Sequence, residues 1–375
     1  MAGIYIHIPF CKRKCHYCNF YSVPSLKYKD ELTAALHTEL RLQKDYLDEP
    51  VETIYFGGGT PSLLAVDDVK SLIDAVRENY TVIKTPEITL EANPDDIDAQ
   101  KVRDLKSSEI NRVSIGVQSF FYEDLKYLNR IHSSEQAEYA IKALQDAGLD
   151  NLSIDFIYGM PSLGQEHWRK NLSRAVDMLI PHISAYAITV EPNTTLEALI
   201  LNQKKQPVSE AEGANEFRYV MKYLPEHNYL HYEISNFCLP GYHSKHNSMY
   251  WENQPYLGIG PSAHSFNRTS RSWNTNNMEE YIAKINRNIT PSESEILDSN
   301  QQYNEFVLMG LRTNRGVSVK AVGDLFGQER AGYFQKILKK YENKILLALT
   351  GDTYQLTDEG KLFADRIISD FFVVD

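Results

Sequence analysis

The sequence predicts an α/β protein, an incomplete β/α barrel followed by a smaller C-terminal module. Three observations predict it. Strand and helix signals alternate six times over the first half of the 375 residues, which means parallel strands joined by crossover helices. Each strand-like run leads, at its C-terminal side, into residues with chemistry to offer. A β/α barrel gathers its site at that face from several strand ends, whereas a doubly wound sheet concentrates it at one switch point. Finally, the alternation stops after Pro192, and from about Ser299 short helices and a hairpin take over.

The strand-like runs are Ile4–Ile8, Thr53–Phe56, Glu87–Glu91, Arg112–Val117, Leu152–Ile157 and Ile183–Thr189. Between them lie helical patterns. Lys29–Leu47 carries Leu32, Leu36 and Leu40 four apart on one face, and Asp67–Glu78, Asp98–Leu105, Ser134–Ala147 (stopped by Gly148) and Gln165–Leu179 follow. The first strand runs into a cysteine-rich loop and the second into Gly57-Gly58-Gly59-Thr60. The third ends at Glu91, the fourth at Gln118, and the fifth carries Asp155. Beyond Pro192 come a helix at Glu210–Tyr223, a strand-like YLHYEI, and a loop rich in His, Asn, Tyr and Gly up to Phe266. The C-terminal stretch reads as helices Gln301–Leu311, Val317–Leu325 and Arg330–Tyr341, a hairpin around Gly351-Asp352, and a closing helix Asp358–Ile367. Helices followed by a two-stranded wing make a winged-helix pattern. It lacks a pronounced basic stripe, so packing or partner contact is expected of it rather than DNA binding. The chain thus divides into a barrel (1–205), a barrel extension (206–298) and a winged-helix-like module (299–375).

A hydrophobic fraction of 42% is enough for a real core, and a net charge of −11 argues against a general affinity for nucleic acid. No apolar run approaches the ~18–20 residues of a membrane span, and the start, MAGIYIHIPFC, has no basic n-region. A cytoplasmic protein with reduced thiols is expected. Three of the four cysteines fall within CKRKCHYC, at Cys11, Cys15 and Cys18, and the fourth is distant at Cys238. That arrangement does not easily yield two disulfides, and it points to metal. A [4Fe–4S] cluster takes thiolate ligands. Three local cysteines would leave one iron open to a small molecule with an amine and a carboxylate. Zinc, with His16 as the fourth ligand, and plain redox or buried thiols are the alternatives.

The segments YIHIPFCKRKCHYC, YFGGGTPS, LEANPDD, RVSIGVQSF, LNRIH and SIDFIYGMP carry a resemblance to the radical S-adenosylmethionine (SAM) superfamily. Within it, the sequence is similar to the branch of oxygen-independent coproporphyrinogen III oxidases and haem chaperones. The resemblance implies a TIM-like partial (β/α)6 barrel, a [4Fe–4S] cluster on Cys11, Cys15 and Cys18, and SAM on the open iron. It also implies that Tyr17 packs on the adenine and that Tyr5 lies near the cluster. Gly58, Gly59 and Thr60 would meet the methionine amino group, Glu91 the amine or ribose, Gln118 and Asp155 the ribose, and Arg130 the carboxylate. Each residue also has a plainer reading. Glu91 and Asp155 could cap strand ends, Gln118 could satisfy backbone groups, and Arg130 could form a surface ion pair. Lys12, Arg13 and Lys14 read as a solvated basic face, or as a docking point for an acidic electron donor.

Three features separate oxidase from chaperone. Asn19 and Phe20 follow Cys18 where the oxidase motif has a further cysteine, little chain precedes the motif, and His246-Asn247-x-x-Tyr250-Trp251 matches the haem chaperones' HNxxYW signature. Imidazole is a common axial haem ligand, and Tyr250 and Trp251 offer flat apolar faces. Asn247 could hold the His246 ring or reach a propionate. His243 and His264 compete as axial ligands, and Cys238 could supply a thiolate or join His243 and His246 at zinc. The expected function is a haem chaperone without catalytic residues. Haem would be its cargo and haem proteins, respiratory ones among them, its recipients. The resemblance also implies membrane association and dimerisation. A radical SAM coproporphyrinogen III oxidase, or a related tetrapyrrole enzyme, is the alternative.

Overall fold

Residues 1–161, 165–341 and 345–374 are described by a computed structural model. The barrel is built from β1 (Ala2–Ile8), α1 (Lys29–Leu42), β2 (Val51–Gly58), α2 (Val66–Asn79), β3 (Val82–Ala92), α3 (Ala99–Lys106), β4 (Arg112–Gln118), α4 (Tyr122–Leu128), α5 (Ser134–Asp146), β5 (Leu152–Tyr158), α6 (Gln165–Asp177) and β6 (His182–Ala187). The six strands stand side by side in chain order, and every neighbouring pair is parallel. Unreversed order is the mark of a barrel rather than a doubly wound sheet. β1 and β6 do not pair, so the barrel is open.

The chain continues with α7 (Thr195–Leu201), α8 (Glu210–Glu226), β7 (Leu230–Glu233), β8 (Asn236–Cys238), α9 (Lys245–Trp251), β9 (Tyr256–Ile259), β10 (His264–Phe266), β11 (Ser270–Asn274), α10 (Met278–Ile285) and β12 (Ser292–Ile296). β9 adds to β1 in parallel, and β10, β11 and β12 extend that side antiparallel. β8 and then β7 extend the β6 side. The last part comprises α11 (Ser299–Leu311), β13 (Val317–Ser318), α12 (Val319–Phe326), α13 (Gln328–Leu338), β14 (Leu347–Thr350), β15 (Thr353–Leu356), α14 (Asp358–Lys361) and α15 (Ala364–Asp370). Its three strands form their own antiparallel sheet in the order β13-β15-β14.

The two-residue period of the strands explains the barrel's construction. Ile4, Ile6, Ile8, Ile54, Phe56, Ile88, Leu90, Val113, Ile115, Ile154 and Phe156 are buried in one core with Leu32, Leu36, Leu72, Ile73, Ile141 and Leu144 of the helices. Each such side chain contributes about 1.5–3 kcal/mol by leaving water. The intervening residues are polar or aromatic (Tyr5, His7, Thr53, Tyr55, Glu87, Glu91, Ser114, Asp155) and bond to one another or to α9 inside the barrel. The interior is therefore a polar site rather than a second core. The extension shares the main core through Phe217, Leu224, Tyr281 and Ile285. Tyr303, Val307, Phe334, Ile368 and Phe371 form a separate core in the last part.

Local signals set several boundaries. Ser133 and Gln136 close a capping box on α5, and Asp98 caps α3 by accepting from the Lys101 amide. One expectation is corrected. The His- and Asn-rich stretch around 246 is not a loop but the helix α9, because Ser244 caps it and Glu87 accepts from the Lys245 and His246 amides.

Candidate functional site

A pocket of about 620 Å³ opens at the C-terminal ends of the barrel strands. The cysteine loop that follows β1 forms one wall. Its path is fixed by backbone bonds from Cys11 to Val23, from His16 to Leu128 and from Leu196 to His16, and by the Asn129 amide on the Lys14 carbonyl. The three thiols are half-buried, unbridged and all face the pocket. Thr60 donates to the Cys11 sulfur at 3.6 Å, and the Arg130 guanidinium donates to the Cys15 sulfur at 3.4 Å. Burial pushes the Cys11 and Cys18 thiols up from their ordinary range.

Single-ion ligands must converge to within about 2.3 Å of one point. Among the described residues no set of three or more His, Cys, Asp or Glu side chains does so. His16 bonds the Tyr127 carbonyl at 3.3 Å instead of joining the thiols. Three half-buried thiols lining one pocket are the ligand set that a cluster with separate irons at its corners takes.

Of the nine residues expected around SAM, eight line this pocket: Tyr17, Gly58, Gly59, Thr60, Glu91, Gln118, Arg130 and Asp155. Glu91, at the end of β3, accepts from the Tyr55 hydroxyl at 2.7 Å and from the Gly58 amide at 3.1 Å. Burial, assisted by Asp155 and opposed by those donors, raises its pKa to about 7. Burial also raises Asp155, which Ser114 reaches at 3.3 Å. Gly58 adopts φ +111°, and a Cβ there would lie 2.6 Å from the His7 ring, so only glycine fits. Gln118 takes a left-handed φ of 63° as β4 ends. Arg130 is no surface ion pair. It is half-buried between Cys15, the Asn93 side-chain oxygen (2.6 Å) and the Gly116 carbonyl (2.7 Å). Tyr17 packs on the cluster of Leu128, Ile157, Met160, Ile188 and Leu196.

Tyr5 is not among the pocket's lining residues; it is stacked on Tyr55 with centroids 6.1 Å apart, and its hydroxyl meets His7 Nδ1 at 3.0 Å. Burial lowers His7 to about 4, so its ring is neutral. Sequence reasoning missed Tyr55 and Asn93, the partners that aim Glu91, Arg130 and Thr60. Asn93 sits in the quoted LEANPDD, where it read only as part of a motif. Of the basic triplet, Lys12 is paired with Asp95 and Asp96, whereas Arg13 and Lys14 reach the pocket mouth.

The HNSMYW residues separate. His246 is 1% exposed, with Nδ1 on Thr53 at 2.7 Å and Nε2 on Tyr250 at 2.9 Å. The Thr53 hydroxyl also points at the Met249 sulfur at 3.2 Å. Both ring nitrogens of His246, expected as the axial haem ligand, are thus engaged within the chain. Asn247 is half-buried on α9, with its amide bonded to the Ser244 cap. Tyr250 and Trp251 line a separate cleft with His264. Cys238 and His243 line another, without His246.

Comparison with known proteins agrees with this geometry. The Radical SAM superfamily profile matches residues 5–175, and the HemN C-terminal domain profile matches residues 297–363. A Bacillus subtilis protein named "Heme chaperone HemW" is 32% identical over 99% of both chains. Its Lactococcus lactis namesake is 31% identical over 99% of this chain and 97% of its own. In three dimensions the chain is similar to the Escherichia coli structure of coproporphyrinogen III oxidase (HemN), a radical SAM enzyme. The TM-score is 0.84 over 99% of this chain and 90% of that one, at 22% identity, which speaks for the fold alone. With a cysteine loop on a polar half-barrel and relatives alike from end to end, the chain belongs to the HemW family of the radical SAM superfamily.

Proposed function

We propose that this protein is a haem chaperone that binds haem and passes it to haem proteins, carrying a [4Fe–4S] cluster and SAM in its barrel. The observation that carries the reading is the end-to-end identity with proteins named heme chaperones, 32% over 99% of both chains. The oxidase alternative has in its favour a likeness of fold at 22% identity and the shared C-terminal domain profile over residues 297–363. Phe20, 69% exposed at the pocket mouth, stands where an oxidase would place another thiol.

Cys11, Cys15 and Cys18 would hold the cluster, which supplies electrons and an open coordination point for SAM's amino-acid end. Within the chain, Arg130 stabilises charge on the Cys15 sulfur, Glu91 receives an ammonium group, and Tyr17 covers the adenine. Thr60, Gly58 and Gly59 give the methionine end a close backbone surface, and Gln118 and Asp155 face the ribose. Among the described residues no helix is long and apolar enough to cross a membrane, so contact with membranes would be peripheral. A cytoplasmic location, respiratory recipients and a homodimer complete the proposal.

The test is transfer. Haem-loaded protein is mixed with an apo-haem protein, and the recipient's Soret band is followed with and without SAM. Growth of that band faster than with free haem supports the chaperone. Multiple turnovers of coproporphyrinogen III to protoporphyrinogen under anaerobic reduction would instead establish the oxidase.

A further inference from the structure

We propose that haem sits in the cleft between the β9–β11 edge and α11, with His264 as the axial ligand of its iron. This rests on the haem-chaperone reading and adds the seat and the ligand to it. The cleft, about 240 Å³ and smaller than a whole porphyrin, would take one edge of the ring, and it is walled by Tyr250, Trp251, Tyr256, Phe266 and Leu308. Flat aromatic and aliphatic walls are what a porphyrin plane demands.

The cleft also carries what iron and propionates need. His264 is exposed, and its ring nitrogens form no hydrogen bond among the described residues; its ring contact is with Trp273, at 6.3 Å. Partial burial and the nearby Arg271 favour its neutral form, the form that binds iron. The β9 backbone passes so close beneath it that a Cβ at Gly258 would collide with the His264 carbonyl. Met309, from α11, brings a thioether to the same cleft, and His with Met is a known haem ligand pair. Arg271, paired with Glu305 at 2.9 Å and partly exposed on the same cleft, offers its guanidinium to a propionate.

This placement gives the HNSMYW segment a divided task. His246 roots α9 in the barrel floor, and Trp251, at the helix's far end, is held as a wall. The cleft on the other side of Trp251, of about 260 Å³, holds His243 and Cys238. Its other lining includes Ser248, Glu252, Thr313 and Asn314, and Arg315 is already paired with Glu252 at 3.2 Å. It has two aromatic walls, Tyr232 and Trp251, against four in the His264 cleft.

The experiment is a ferric haem titration of the full chain followed by the Soret and visible bands. Wild type, His264→Ala, Met309→Leu, Arg271→Gln, His243→Ala and His246→Ala are compared after circular dichroism has shown each to be folded. His264→Ala is expected to weaken binding at least tenfold and shift the Soret maximum, and added imidazole should restore the wild-type spectrum. Met309→Leu should convert low-spin bands to high-spin ones, and Arg271→Gln should weaken binding several-fold without moving the maximum. His243→Ala should bind as wild type does. A His264→Ala protein with the wild-type spectrum and affinity overturns the seat while leaving the chaperone reading intact. A wild type that gives no Soret response overturns both.

Discussion

The imidazole of His246 lies 4.9 Å from the ring of Tyr55, with the planes 24° apart. Tyr55 in turn donates to Glu91 at 2.7 Å. The foot of α9 is therefore one residue removed from the carboxylate that faces the cofactor pocket. Replacing Tyr55 with Phe keeps the stack and removes the donor. SAM affinity is expected to fall about five- to tenfold, the effect of one hydrogen bond of roughly 1–1.5 kcal/mol. Calorimetric titration of SAM into the reconstituted protein measures this, and the iron–sulfur absorbance should be unchanged. Equal SAM affinity in both proteins would remove Tyr55 and Glu91 from SAM binding.

The thiols make a second prediction. Cys11→Ala, Cys15→Ala and Cys18→Ala should each lose most of the iron and sulfide retained after anaerobic reconstitution. Cys238→Ala should retain it, because that thiol is 1% exposed and distant from the pocket. Iron analysis and the broad visible absorption are the readouts. Full iron content in any of the first three variants would break the cluster assignment.

His246→Ala is expected to destabilise the fold. It empties a fully packed site and strands the Thr53 and Tyr250 hydroxyls, which now bond the ring. A cavity plus unsatisfied polar groups costs about 2–4 kcal/mol, visible as a lower urea midpoint without haem. A variant as stable as wild type would show that the ring does not root α9.

Much of this was legible in the sequence. Alternating strand and helix periods marked the barrel because six parallel strands bury one apolar face each under helices. The cysteine spacing and the polar strand ends were equally visible, since lumen residues at the barrel's open end must be chemically unusual. What failed to show was short or non-local. β10 to β12 are three to five residues long, and β12 (SESEI) is exposed throughout, so no hydrophobic period announces them. α9 is a seven-residue helix whose first amides are capped by Glu87, more than 150 residues earlier. That long-range cap hid both the helix and the inward turn of His246.

The last prediction concerns pH. Glu39 of α1 is buried and accepts from the Gly260 amide and the Asn274 side chain, both at 2.7 Å, and from Tyr281. Burial outweighs these donors and raises its pKa to about 7. The folded chain thus holds a proton there that the unfolded chain releases near pH 4.5, so its contribution is full below that pH and is lost as pH rises through 7. Several histidines act oppositely. His7 and His132 are lowered to about 4, and His231 and His246 to about 3, chiefly by burial. They cost stability as pH falls below 6.5, which obscures the carboxyl in the wild-type curve alone. Comparison with Glu39→Gln isolates it. The stability of wild type relative to the variant should fall by on the order of 3 kcal/mol between pH 4.5 and 7.5, read from urea midpoints. Parallel curves across that range would mean that Glu39 is ionised in the folded protein, and that its three donors outweigh the cost of burying it.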